Sequence, residues 1–205
     1  MTCEPSAESQ HLQVLGSLHD DGDTVVLLGP YEPEFWAAFT GSPEYQDGAP
    51  DPMDRWSKRV IGALAHAWGG TAVFPSDGPP YPPFQAWARA SGRAWDSPVG
   101  MLVHDTAGLW ISYRGAVRIP GELPLSPSGT MPCVSCAAPC LSACPVSALG
   151  AEGYDVPVCK EHLNGLDSAQ CMATGCAVRR SCPASRNYGR LPAQSEFHMK
   201  AFNPR

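Results

Sequence analysis

The chain has 205 residues, 43% of them hydrophobic, with a net charge of -6, 20 glycines, 22 prolines and nine cysteines. It is long enough to bury the core of one domain, or of one domain with a small appendage. No apolar run approaches the roughly eighteen residues that a membrane-crossing helix needs, so no membrane span is expected.

In chain order, residues 1–10 carry no periodic signal and are expected to fray, with Cys3 a spare thiol. His11 to Leu18 alternates weakly and reads as a short helix. After the acidic turn Asp20–Asp23, the run Thr24–Leu28 reads as a buried strand ending at Gly29-Pro30. Glu32 to Thr40 suits one helix, with Phe35, Trp36 and Phe39 at helical spacing. A second helix starts at Asp51 as N-cap with Pro52 in its first position, and places Met53, Trp56, Val60, Leu64 and Ala67 on one face. Lys58 and Arg59 lie off that face, and His66 at its boundary.

Gly69-Gly70 ends that helix and Thr71–Phe74 reads as a strand. The loop Pro75 to Pro83 is too rich in proline for either regular state, and such loops often lie over a site or a partner surface. Phe84 to Ala90 resumes a helix. Two further strands are expected, Val99–Val103 and Leu109–Tyr113 continuing to Ile119, joined by a turn at Asp105–Gly108. The interleaving predicts an α+β fold with an N-terminal mixed α/β layer over residues 1–125, and residues 126–205 form a separate C-terminal segment that ends in an arm. The proline-spaced link Pro120–Pro132 marks the boundary.

Eight of the nine cysteines lie between Cys133 and Cys182. They run Cys133-x-x-Cys136-x-x-x-Cys140-x-x-x-Cys144-Pro145, then Cys159, then Cys171-x4-Cys176-x5-Cys182-Pro183. Such spacing crowds sulfurs into a small volume, which disulfides, structural zinc or a redox cluster would exploit. A zinc ribbon wants a second Cys-x-x-Cys knuckle, and none exists. The odd cysteine count, and an N-terminus without the basic and apolar regions of a secretory signal, argue against disulfides and for a reducing, cytoplasmic setting.

Two [4Fe-4S] clusters need eight thiolates, and the bacterial two-cluster pattern sets a short-spaced triplet before a fourth cysteine followed by proline that ligates the other cluster. By that interleaving Cys133, Cys136 and Cys140 group with Cys182, and Cys144 with Cys159, Cys171 and Cys176. Exchange of one ligand between the sets stays open, and Cys159 has the weakest local pattern; on this spacing residues 126–205 read as a C-terminal two-cluster ferredoxin-like segment. Small residues between the cysteines, such as Ala137, Ala138 and Ala143, leave room for backbone amides to approach sulfur.

The charge is lopsided. Residues 1–54 carry eleven acids and no lysine or arginine, whereas residues 171–205 carry Arg179, Arg180, Arg186, Arg190, Lys200 and Arg205 against Glu196 alone. Solvated faces account for this, or the basic end offsets negative clusters or meets an anionic partner. A nucleic-acid-binding motif is not recognisable.

Taken together, Gly108, Trp110 and Gly115, the Cys133–Pro145 motif, Tyr154-Asp155 leading to Cys159, and the Cys176–Pro183 end make the chain resemble the epoxyqueuosine reductase and reductive dehalogenase group. The resemblance implies an α+β cobalamin-binding domain ahead of a two-cluster segment. It departs where that family has Gly-Trp-x-Gly-Lys and this chain has Val99-Gly100-Met101-Leu102. The family's Asp-Ser-x-Pro setting is matched by Asp96-Ser97-Pro98 only with a deletion.

Two functions follow. One is an electron carrier that exchanges single electrons with a redox protein partner. The other is an oxidoreductase whose α+β domain binds cobalamin or a flavin, with Asp96 a candidate acid and His104 or Tyr113 candidate polar contacts. A cluster protein without turnover is the bland third.

Overall fold

The computed structural model describes residues 3–204. Met1, Thr2 and Arg205, which belong to the expected frayed start and the basic end, lie outside the described residues. The protein is α+β. Helix α1 (Cys3–Glu8) precedes strands β1 (Leu12–Asp20) and β2 (Asp23–Pro30), followed by α2 (Glu34–Thr40), α3 (Pro43–Gln46) and α4 (Pro52–Ala67). Then come β3 (Thr71–Val73), α5 (Phe84–Ala90), β4 (Ala94–Asp96), β5 (Leu102–His104) and β6 (Gly115–Pro120). The cysteine-rich part holds a small ladder of β7 (Leu149–Gly150) with β8 (Gly153–Tyr154), and then α6 (Val156–Asn164) and α7 (Ala169–Thr174). It closes with α8 (Ala177–Ser181), α9 (Pro183–Arg186) and α10 (Pro192–Phe202).

The chain divides into two compact units, and the division is not a single cut. The first unit takes the chain as far as Arg93 together with Ser112–Gly129, and the second takes Ala94–Ile111 together with the chain from Thr130 onward. The linear boundary expected at 125 lies near one crossing, while residues 94–111 fall with the cysteines.

In the first unit a four-stranded antiparallel sheet has the order β1-β2-β6-β3. The hairpin β1–β2 turns at Asp21-Gly22, both residues at positive φ, as a two-residue connection requires. Strand β1 corrects the helix expected over 11–18. Its register slips between Val14 and Gly16, and this bulge interrupts the two-residue period that would mark a strand in sequence. The expected frayed start is instead α1, with Ala7 fully buried and the Trp68 indole donating to Ser6 Oγ at 3.3 Å.

Helix α4 begins at Pro52 as expected, but Asp51 sits at φ 53 and makes no side-chain cap. Its buried face takes Met53, Trp56, Val60 and Leu64 together with Ile61 and Ala65, while Ala67 is exposed. Phe35 and Phe39 of α2 meet the Trp56 ring edge-on at centroid distances of 5.2 and 6.3 Å, and Tyr45 meets Phe39 at 5.2 Å. Such aromatic packing adds to the area buried.

In the second unit, the strand expected over 99–103 is shifted. Ser97–Gly100 forms the tight turn of a β4–β5 hairpin, with Gly100 N–H donating to Ser97 O at 2.9 Å. The strand expected from Leu109 starts only at Gly115, because the backbone of Leu109 is bonded to side chains of α8 and α9 and not to a neighbouring strand. The C-terminal arm is α10, which packs against α7, and Asn203 Nδ2 donates to Asn164 Oδ1 at 2.9 Å. No helix among the described residues is long and apolar enough to cross a membrane.

Phe39 is fully buried in the aromatic cluster. Phe39→Ala should cost about 3–5 kcal/mol, a large part of the roughly 5–15 kcal/mol that holds a domain folded. Urea denaturation followed by tryptophan fluorescence measures it, and a loss below about 1 kcal/mol would show that α2 and α4 repack without this ring.

Candidate thiol sites of the second unit

All nine cysteines are free thiols, and the second unit gathers its eight into two groups. Cys133, Cys136 and Cys140 come from the loop before β7, where Cys136 N–H closes a turn on Cys133 O at 3.2 Å. Ala138 N–H then donates to Cys136 Sγ at 3.4 Å. Cys182 arrives from the junction of α8 and α9, with Pro183 in the first position of α9.

These four thiols line one cavity of about 330 Å3 together with Ser97, Val103 and Leu109. Cys140 and Cys182 are part of the core with Val99, Val103, Leu109, Leu149 and Val178, so the cavity wall is largely apolar. Burial pushes the Cys133 thiol up, and Cys182, Cys136 and Cys140 push it further. Cys140 is raised in the same way, partly offset by the backbone amides of Cys140 and Leu141. One polar group on the wall is unmatched: Ser97 is 7% exposed and its Oγ has no hydrogen-bond partner.

The second group is Cys144, Cys159, Cys171 and Cys176. Asp155 caps α6 by accepting from Val158 N–H at 3.0 Å, and the helix then carries Cys159. Cys171 sits on α7 and Cys176 is the residue before α8. Ala148 N–H donates to Cys144 Sγ at 3.2 Å. Burial raises the Cys159 thiol, a hydrogen bond from the Tyr154 hydroxyl lowers it, and Cys176, Cys144 and Cys171 raise it again. Burial also raises Cys171, an amide bond from Ala177 lowers it, Cys176 raises it and Arg180 lowers it. These contacts set Cys159 beside Cys144, Cys171 and Cys176, and Cys133 beside Cys136, Cys140 and Cys182. Among the described residues, no three His, Cys, Asp or Glu side chains close on one point as the ligands of a single ion would.

Polar surroundings distinguish the two sets. Arg179, on α8, donates from Nη1 to Leu109 O at 2.6 Å. Burial pulls its pKa down while Cys176 and Tyr154 oppose that shift. Burial and the bond to Cys159 push the Tyr154 hydroxyl up. Arg180 Nε donates to Gly175 O at 3.1 Å. Gly175 ends α7 at φ 86, and a Cβ there would come within 2.7 Å of Trp110 Cη2, so a side chain is excluded where α7 hands over to Cys176. Thus two of the basic residues that stood out in the sequence lie beside thiols. Arg190 instead lies over the Trp110 ring at 5.4 Å, and Lys200 pairs with Glu196 at 2.7 Å.

The candidate catalytic residues do not share a site of this kind. His104 is fully buried, and its Nδ1 accepts from Ala107 N–H at 3.3 Å and Thr106 N–H at 3.2 Å and lies 2.9 Å from Asp105 Oδ1, which holds the turn before Leu109. Asp96 is exposed at the end of β4. Tyr113 belongs to the first unit. Ser97 and Arg179 were not singled out as site residues from sequence. Arg179 was legible only as one of the basic residues near the chain's end, and Ser97 only as the neighbour of Asp96 in Asp96-Ser97-Pro98.

Ser185 Oγ accepts from the buried Leu109 N–H at 2.8 Å. Ser185→Ala should leave that donor unpaired at a cost of about 1–3 kcal/mol, read from chemical denaturation; an unchanged midpoint would mean that Leu109 is held otherwise. Set against protein-family models, curated proteins and solved structures, the chain matches none of them.

Proposed function

We propose that the protein is an electron-transfer protein that holds two [4Fe-4S] clusters, one in each set of four cysteines. The observation that carries this reading is the first cavity: four thiols from two distant stretches surround about 330 Å3 instead of converging on a point. Each thiolate of a cubane binds its own iron, so its ligands stand around a volume, whereas zinc draws four ligands to about 2.3 Å from one centre.

The surroundings fit such a group. Four thiolates buried together repel one another, and a centre that carries positive iron offsets that repulsion. Ser97 Oγ, unmatched on the cavity wall, is a donor with nothing else to bond, and the amides of Ala138 and Ala148 already point to sulfur. On α10, which packs against the Cys171 helix, the fully buried Gln194 amide also lacks a protein partner. When bound, the clusters would supply reversible one-electron chemistry in which no bond to a substrate forms. The chain's own residues ligate, exclude water through Val99, Val103 and Leu109, and set the electrostatics. One electron enters from a reduced redox protein and leaves to an oxidised one.

Oxygen-free purification followed by metal and acid-labile sulfide analysis tests the reading. The expected yield is about eight irons and eight sulfides per chain, four for each thiolate set. Cys182→Ala and Cys171→Ala should each remove about half of both. Zinc in their place, or no metal after reconstitution with iron and sulfide, would overturn the proposal. The absorbance spectrum of the same sample separates a carrier from an enzyme with bound flavin or corrinoid.

The hydroxyls of Ser97 and Tyr154 favour added negative charge on the set each adjoins. Ser97→Ala is therefore expected to lower the midpoint potential of one cluster and Tyr154→Phe that of the other, with iron content unchanged, in titrations followed by electron paramagnetic resonance. If both variants titrated like the wild type, these side chains would not be tuning the sites.

A further inference from the structure

In the first unit a second cavity, of about 300 Å3, has a different chemistry. Asp54, Ser57 and Lys58 face it from the first two turns of α4, Phe74 and Ser76 from the chain after β3, and Tyr113 and Arg114 from the chain entering β6. Arg114 is placed by its backbone, whose N–H donates to Leu28 O at 2.8 Å beside the sheet. The start of the proline-rich loop is pinned by Asp77, which accepts from Phe74 N–H at 2.9 Å. Lys58 Nζ stands 5.9 Å from the centre of the Phe74 ring and 4.0 Å from Asp77 Oδ1, with more than half of its side chain exposed.

The guanidinium of Arg114 is underused. A guanidinium has five donors and no acceptor. Here Nη2 donates to Ser112 Oγ at 3.0 Å, while Nε–H is shielded from solvent without a partner. No described carboxylate pairs with it: Asp54 is the acid whose charge reaches Arg114, without an ion pair between them. A buried charged donor left unmatched costs free energy that an anionic ligand would recover. Planar guanidinium forks match carboxylate and phosphate oxygens. The volume lies at the lower end of small-molecule sites, and the walls from Phe74 and Tyr113 are aromatic.

We propose that this cavity binds a small organic molecule through one anionic group, a carboxylate or a phosphate, held between Arg114 and Lys58 with its body against Phe74 and Tyr113. Asp54 limits the charge of the guest. Two cations and one carboxylate leave the lining with a single positive charge, so a singly charged group suits it better than a highly charged one. The site is independent of the thiol sets.

Isothermal calorimetry of the full chain with benzoate and with inorganic phosphate, each against chloride at equal ionic strength, tests the proposal. Saturable binding of benzoate alone assigns a carboxylate guest, and of phosphate alone a phosphate one; either supports the site. Arg114→Gln should then weaken binding at least tenfold and Lys58→Gln severalfold, while Asp54→Asn should tighten it. If Arg114→Gln does not fold, Lys58→Gln and Asp54→Asn decide the matter, because both side chains lie on the solvated first turns of α4. The proposal is overturned if neither probe saturates beyond chloride, or if affinity is the same in the folded variants as in the wild type.

Discussion

Both backbone polar groups of Leu109 are held by side chains from α8 and α9, the two helices that flank Cys182. Its N–H donates to Ser185 Oγ at 2.8 Å, and its carbonyl accepts from Arg179 Nη1 at 2.6 Å. Hydrogen bonds to charged groups contribute about 1.5–3 kcal/mol, and neutral ones about 1. That pair of bonds sets residues 94–111 against α8 and α9. Leu109 and Val103 can then line the first thiol cavity, and Trp110 can close over Gly175 at the end of α7. Neither cysteine set is built by the cysteine-rich segment alone.

The same tie explains why the two sets differ. On one side of Leu109 the wall is apolar, with Val99, Val103 and Val178, and the one unmatched polar group is the Ser97 hydroxyl. On the other, Arg179 reaches the Leu109 carbonyl from α8 and brings its charge near Cys176 and Tyr154, while Tyr154 bonds Cys159. A charge in a partly desolvated site weighs more than at the surface, so the sequence of α8, Ala177-Val-Arg-Arg-Ser181, divides its labour. Val178 is fully buried in the core of the first set, and the arginines serve the second.

The first unit is governed by a different constraint, the closing of an antiparallel sheet with a late strand. Strand β6 inserts between β2 and β3 some ninety residues after β2, and the two residues before it, Tyr113 and Arg114, are delivered to the mouth of α4. Helix α4 packs against β6 and β3 through its apolar face. Its N-terminal turns, left beyond the sheet, supply Asp54 and Lys58 to the cavity that Arg114 enters. A cation arrives there because the sheet needs Arg114 N–H on Leu28 O, not because a partner charge awaits it.

What could be read from the amino acids alone was whatever depends on neighbours a few residues away. The period and the Pro52 start of α4, the limits of α5, the acidic turn at Asp20–Asp23 and the crowding of eight cysteines into one stretch all belong here. Helix period, turn chemistry and short loops between thiols act within one or two turns of chain. The tertiary structure alone decided which partner each backbone group and buried donor finds. It made 12–20 a bulged strand paired with β2, moved residues 94–111 to the second unit, withheld Leu109–Tyr113 from the sheet, brought Ser97 and Arg114 to their cavities, and set Arg179 near Cys176. The two bonds that hold Leu109 join residues 76 and 70 positions apart, and no local pattern encodes such a contact because each half of it looks ordinary until the other is in place.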